Sequence, residues 1–365
     1  MINFKKRRSD IVFKYYKELN VYLNDVCIYL EKEQPYLIRY IYEILKLNNL
    51  VYPLVRDCDV SRKEEECNID FRTVYNTARE VIESINKSYL EAYDKMLLNG
   101  ELEFSYQHNF HDSHVTTMRE NGVYQKVINV NRSFDYSEVV TLVHEFIHYT
   151  TSHDFSFNRT FLSEFLAIYF EMMAIDYLKK KGITGNDLDY ADRLNILRGR
   201  SNRFYGYGVV LFAYLKFGNL NDDTYKYVNI LFPKMTWKEF KRHCAYLYSN
   251  FLRIERDMKN RIDKDESNKG QILAEGFMTS DYLYVIGTIL AIFARRYCDF
   301  ADIIALNDNM TYFDYFDIED ILLRIGINIH DEEFLDKITT MLSSYIEEVK
   351  ALSSLEKIEL KLENK

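Results

Sequence analysis

Proline and glycine are scarce in this 365-residue chain, at 3 and 12 residues. Both interrupt regular structure, so their scarcity excludes an architecture of many short strands and favours long helices. No CxxC pair occurs among the five cysteines, Cys27, Cys58, Cys67, Cys244 and Cys298. Neither a disulfide framework nor a thiolate metal site is therefore expected, and the thiols read as reduced packing residues. A basic stripe is also lacking: net charge is −9. The one basic cluster, Lys5 to Arg8, reads as a solvated helix start, which excludes a typical nucleic-acid partner. The longest apolar runs, Gly208–Leu215 and Leu283–Ala294, fall short of the roughly 18 residues a membrane span needs. Asp10, Lys14 and Lys17 interrupt the N-terminus before a secretory apolar core can form, so a cytoplasmic location is expected. No feature specifies an oligomeric state.

With 47% hydrophobic and 28% charged residues, the chain is globular rather than disordered. Apolar residues recur at helical spacing through Ile11–Leu30 and Leu37–Leu47, with Pro35 at the junction. Pro53–Asn68 reads as a loop, and one long helix is expected over Asp70–Leu98, stopped by Asn99-Gly100. Between Glu101 and Asn131 apolar residues alternate with polar ones, then β-branched residues gather at Val123–Val130. A small sheet is expected there, with a turn at Asn121-Gly122. Asp135 should start the next helix with Glu138 as its capping-box partner. Further helices are expected at Thr160–Lys180, Asn186–Leu197, Tyr207–Phe217, Asp223–Leu231, Trp237–Ile262 and Thr279–Tyr297. The expected fold class is mainly α, a multi-helix fold with a small β-sheet flanking a cleft. Residues 1–100 would form an N-terminal helical region packed on a catalytic region, 101–365.

His144-Glu145-Phe146-Ile147-His148 forms an HExxH pattern on an expected helix. Residues four apart share a helix face, so both imidazoles can reach one ion. Glu145 lies one residue round from His144, placed to hold a water rather than to ligate. Zinc with nitrogen and oxygen ligands keeps an open position and lowers the pKa of water to about 7. A neighbouring carboxylate can then act as general base during attack on a carbonyl. The pattern should arise by chance in fewer than roughly three such chains per hundred. Val139, Val140, Leu142, Val143, Phe146 and Ile147 surround it, so the helix should be buried and its polar groups should need partners. A hydrogen-bonded histidine pair without metal is the bland alternative.

A third ligand is required, and Glu164 on the following helix is the choice, with Ala167 small enough to let the helices approach. Glu171, two turns on, points the same way and could receive the second N–H of a ligating histidine. Asp154 and His153 are the competitors. Thr151 stands where an aspartate-ligand site needs glycine, and His153 falls one residue short of a three-histidine spacing. The run His108, His111, His114 alternates faces on a strand and reads as surface. Gly206-Tyr207-Gly208 lacks a third glycine and a preceding strand, so it is not read as a dinucleotide loop.

Three segments carry a family resemblance. Lys126–Ser152, with Thr141-Leu142 shortly before its HExxH, resembles the edge strand and active-site helix of the oligoendopeptidase F and thimet oligopeptidase family. Ser163–Leu178 resembles that family's second helix, whose two glutamates map onto Glu164 and Glu171. Asp281–Ala291 resembles its tyrosine-rich C-terminal helix. The resemblance implies a tyrosine, Tyr282 or Tyr284, that stabilises the oxyanion. It also implies an edge strand holding substrate backbone by strand addition, through Val123, Gln125 and Val127.

The expectation is a peptidase holding one zinc ion through His144, His148 and Glu164, with Glu145 as base and peptides as substrates. Two other readings stay open: a regulatory protease cutting one protein partner, and a zinc-binding interaction protein without catalysis.

Overall fold

The computed structural model describes residues 4–33, 35–56, 58, 68–105, 113–120, 123–151, 157–183, 186–259, 269–274, 280–310 and 317–363. The fold is mainly helical with a small three-stranded sheet, as the composition implies. The chain clusters into two compact units. One comprises Met1–Arg56 and Arg198–Val285, the other Asp57–Leu197 and Ile286–Lys365. Among the described residues no helix is long and apolar enough to cross a membrane.

In the first unit, α1 (Phe4–Glu33) packs against α2 (Pro35–Val55) and later helices of the same unit. Leu19, Leu23, Val26 and Leu30 of α1 are buried at three- and four-residue spacing, which is a helical stripe facing a core. Full burial of each such side chain contributes about 1.5–3 kcal/mol before entropy is counted. α2 runs through Pro53 to Val55, two residues beyond the loop start expected at Pro53.

The second unit opens with α3 (Phe71–Ile85), whose N-cap Asp70 accepts the Thr73 amide at 2.7 Å. The single helix expected to Leu98 is broken at Asn86. There the backbone becomes extended (φ −155°), and the Asn86 side chain caps a short turn by accepting the Ser88 amide. α4 (Leu90–Leu98) then buries Tyr93 completely, stacked on Tyr75 at 4.8 Å. The break lets Tyr93 turn edge-on to Phe146 at 5.2 Å. Gly100, with φ +71°, ends the helix in the left-handed region, as the Asn-Gly pair implies.

β1 (Leu102–Ser105), β2 (His114–Glu120) and β3 (Val123–Asn131) form a sheet in the order β1-β3-β2. β3 is thus the middle strand, not the expected edge. β2 pairs with it antiparallel from Glu120↔Val123 onward; the Asn121-Gly122 turn lies outside the described residues. β1 pairs with it in parallel over Ile128–Asn131. The Ile128 and Arg132 amides donate to the β1 side. Backbone groups alternate along a strand, so those of Val123, Gln125 and Val127 face β2 and are already engaged. These three residues offer no free edge for an added strand.

α5 (Ser137–Thr151) and α6 (Phe157–Lys180) pack closely on each other, and α5 also lies on β3 and α3. α5 starts at Ser137 rather than Asp135. The Glu138 amide donates to the Asp135 carbonyl at 3.2 Å, and its buried carboxylate accepts the amides of Ser133 and Phe134 and pairs with Arg132 at 2.8 Å. That network pins the turn into α5, where Phe134 adopts φ +63°.

α7 (Asn186–Phe217) is one continuous helix where two were expected. Gly206 and Gly208 within it are places of close approach rather than breaks: a Cβ on Gly206 would lie 2.1 Å from His243 Nδ1 and one on Gly208 2.8 Å from Leu45. α8 (Asp222–Leu231), α9 (Trp237–Asp257) and α10 (Lys269–Ala274) complete the first unit. α11 (Ser280–Tyr297) begins in the first unit and ends in the second. α12 (Phe300–Asp308), α13 (Ile318–Arg324) and α14 (Glu332–Glu363) belong to the second.

Candidate metal centre

α5 is apolar nearly all round. Val139, Val140, Leu142, Val143, Phe146 and Ile147 are buried, so the helix is held among neighbours and cannot turn its polar residues to bulk water. Its C-terminal end is tied down by Lys126 of β3, whose Nζ donates to the Tyr149 carbonyl at 2.5 Å, a cation at the negative end of the helix. Burial pushes the Lys126 amine down to about 8, and nearby Glu101 opposes the shift. The Tyr149 hydroxyl in turn donates to Glu101 at 2.8 Å.

On this fixed helix the one-turn spacing brings His144 Nε2 within 3.0 Å of His148 Nε2. α6 adds Glu164, with one carboxylate oxygen 3.6 Å from His148 Nε2 and the other 3.9 Å from His144 Nε2. Ala167 of α6 is fully buried one turn further on. Gly287 of α11 brings a third helix onto the same spot, since a Cβ there would stand 3.3–3.4 Å from Phe165 N and Glu164 C. Among the described residues this is the one group of three His, Cys, Asp or Glu side chains converging in this way.

The outer nitrogens fix which protons the rings carry. His144 Nδ1 lies 3.1 Å from Glu171 Oε2, and the other oxygen of Glu171 is held by the buried Arg193 guanidinium. A carboxylate paired with arginine only accepts, so Nδ1–H of His144 donates and Nε2 is left as a lone pair. His148 Nδ1 stands 2.5 Å from Ser163 Oγ, which is 3.2 Å from Thr151 Oγ1. Thr151 has a single hydroxyl proton and gives it to the Ile147 carbonyl at 2.8 Å. With Ser163 donating to Thr151, it accepts from Nδ1–H of His148, and His148 Nε2 is then a lone pair as well. Burial, against the pull of Glu164 and with the push of His144, holds the His148 imidazole down to about 4.

Two imidazole lone pairs and a carboxylate thus face one point, an arrangement that repels itself unless a cation sits between. Zinc bonds of about 2.0–2.2 Å let two donors stand no more than roughly 4.4 Å apart; the two Nε2 atoms lie inside that limit, and so does each of them from one oxygen of the Glu164 carboxylate. Two nitrogens and one oxygen are a donor set suited to zinc, with room for a fourth group. The residues fit the metal.

Glu145 is buried on α5, the next residue round from His144. Gln125 is exposed, Val127 is buried, and the side chains of Val123 and Tyr282 lie outside the described residues, as do His153 and Asp154. Tyr284 belongs to the first unit, where Arg200 sits over its ring at 4.4 Å. The oxyanion assignment for either tyrosine rests on the sequence resemblance alone. Sequence reasoning missed Arg193, Ser163, Thr151 and Lys126. The faint signal for Arg193 was a cation among the apolar positions of a helix, and for Ser163 a hydroxyl beside Glu164.

No family model matches the sequence, and no curated protein matches it. Among solved structures, one described as an oligoendopeptidase F from Bacillus anthracis str. Ames is similar, with a TM-score of 0.49 and 11% identity over 90% of this chain. PZ peptidase A with inhibitor 2 is similar at a TM-score of 0.47 and 11% identity over 87%. This chain spans 57% and 58% of the length of those two chains. At such scores and identities no residue role passes from them to this chain.

Proposed function

We propose that the chain is a zinc-dependent peptidase, a divergent relative of the oligopeptidase family its motifs resemble. The observation that supports this is the meeting of His144 Nε2 and His148 Nε2, 3.0 Å apart, with the Glu164 carboxylate, one oxygen of which lies 3.6 Å from His148 Nε2 and the other 3.9 Å from His144 Nε2. A bound zinc ion supplies Lewis-acid polarisation of the scissile carbonyl and acidifies water at the open position.

The rest belongs to the protein's own groups. Glu145 takes the proton of the attacking water and passes it to the leaving amine, a role worth about 10²–10⁴-fold in rate. Glu171 and Ser163 hold the two rings by their Nδ1–H groups, so that both Nε2 lone pairs stay turned inward. The apolar wall of α5 excludes bulk water, which strengthens each of these interactions. A tyrosine at Tyr282 or Tyr284 donating to the oxyanion is part of the proposal by resemblance. For the peptide backbone, the outer side of β2, which pairs with no strand among the described residues, replaces the inward-bonded residues of β3.

Metal analysis of wild type and Glu145→Gln, with hydrolysis of a quenched peptide library before and after chelator, tests the reading. One zinc per chain in both, with hydrolysis in wild type alone, is the expected result. Equal inertness of two zinc-loaded proteins would overturn the peptidase and leave a binding protein.

A further inference from the structure

Arg193 lies on α7, and its side chain is 6% exposed. Burying a guanidinium costs several kcal/mol, and a packing residue of similar volume is often as stabilising at such a place. Its anion is Glu171, 12% exposed, which divides its carboxylate: Oε1 goes to the arginine and Oε2 to His144 Nδ1 at 3.1 Å. Held by one oxygen alone, Glu171 would be free to rotate about its last torsion, a broad and shallow one. The planar guanidinium grips one oxygen and so aims the other.

We propose that Arg193 is a positioning residue of the metal centre. Through Glu171 it fixes the tautomer and ring plane of His144 and so sets how tightly the ion is held. The centre is then built by three helices: α5 brings the imidazoles, α6 the carboxylates, and α7 the cation that orients them. This rests on the reading of His144, His148 and Glu164 as a metal site.

The test compares wild type, R193M, E171Q and the double variant in full-length protein. Zinc affinity is read by competition with a chromophoric chelator, alongside the visible spectrum of the cobalt form. R193M should weaken zinc about 10–100-fold, as removal of an outer hydrogen-bond partner does, and change the cobalt bands. E171Q should do much the same, and the double variant should be no worse than E171Q by more than about twofold, because one chain of contacts is cut twice. R193K should recover part of the affinity through a single hydrogen bond. Unchanged affinity in R193M, or losses that add in the double variant, would overturn the proposal. Should R193M not fold, R193Q answers the same question by the same reading. If wild type itself holds no metal, the centre and this inference fall together, an outcome distinct from a wild type that binds and an R193M that binds equally.

Discussion

His148 in the second unit and His243 in the first are both pulled down to about 4, and burial is the main cause in each. Beyond burial their surroundings differ. His148 is drawn up by Glu164 and pushed down by His144, so it stands among groups that compete for one position. His243 is pushed down by Arg242 and drawn up by Glu239, and its ring fills the slot left by Gly206 on α7. A buried, perturbed histidine is therefore no sign of chemistry by itself. What separates the two is whether lone pairs from different elements converge.

Exchanging each ring for a methyl group should break the comparison most sharply. His148→Ala should lose bound zinc and drop hydrolysis by about 10³-fold or more, since the site then has two donors. His243→Ala should keep one zinc per chain and hydrolysis within about twofold, while losing about 1–3 kcal/mol of stability to the cavity. Metal analysis and denaturant unfolding read both, and zinc loss from His243→Ala would contradict the contrast.

A second way to sharpen it uses pH. Folded His243 stays neutral until about 4. The unfolded chain takes up a proton below about 6.5, so between those values unfolding binds a proton and stability falls as pH falls. The contribution is absent above about 6.5 and reaches roughly 3 kcal/mol near the lower limit. His243→Gln should flatten that part of the stability profile between pH 7 and 5. An unchanged slope would mean that the folded ring takes up a proton freely.

The smallest effects should come from two glycines. A Cβ at Gly206 would stand 2.1 Å from His243 Nδ1, so Gly206→Ala should force the ring aside and cost about 1–3 kcal/mol without touching metal affinity. At Gly287 the added Cβ would lie 3.3 Å from Phe165 N, beside Glu164. Gly287→Ala should cost less stability yet weaken zinc by a few-fold, because α6 must shift at the carboxylate. A common effect of both substitutions on zinc would blur the distinction between the units.

The nearness of His144 to His148 was legible because helical spacing is local, and the placement of Glu164 followed from the next helix having to pack on a buried one. Other features were hidden for identifiable reasons. β3 reads as a strand from its own alternation, but whether it is central depends on where β1 and β2 dock. The break at Asn86 follows from a side chain capping its own turn, within a stretch whose apolar period continues unbroken. The continuity of α7 was hidden because the residues packed on Gly206 and Gly208, His243 and Leu45, lie far off in sequence. Arg193 had only the faint mark of a cation among apolar helix positions, because its partner Glu171 lies on another helix.

Local order along the chain was enough to specify helices, a small sheet and two imidazoles one turn apart, since these depend on periods of about 3.6 and 2 residues and on which positions avoid water. Tertiary structure alone decided what meets the outer nitrogen of each imidazole. That depends on Glu171 with Arg193 on one side and Ser163 with Thr151 on the other, contacts made between helices, whose geometry no residue's immediate neighbours contain.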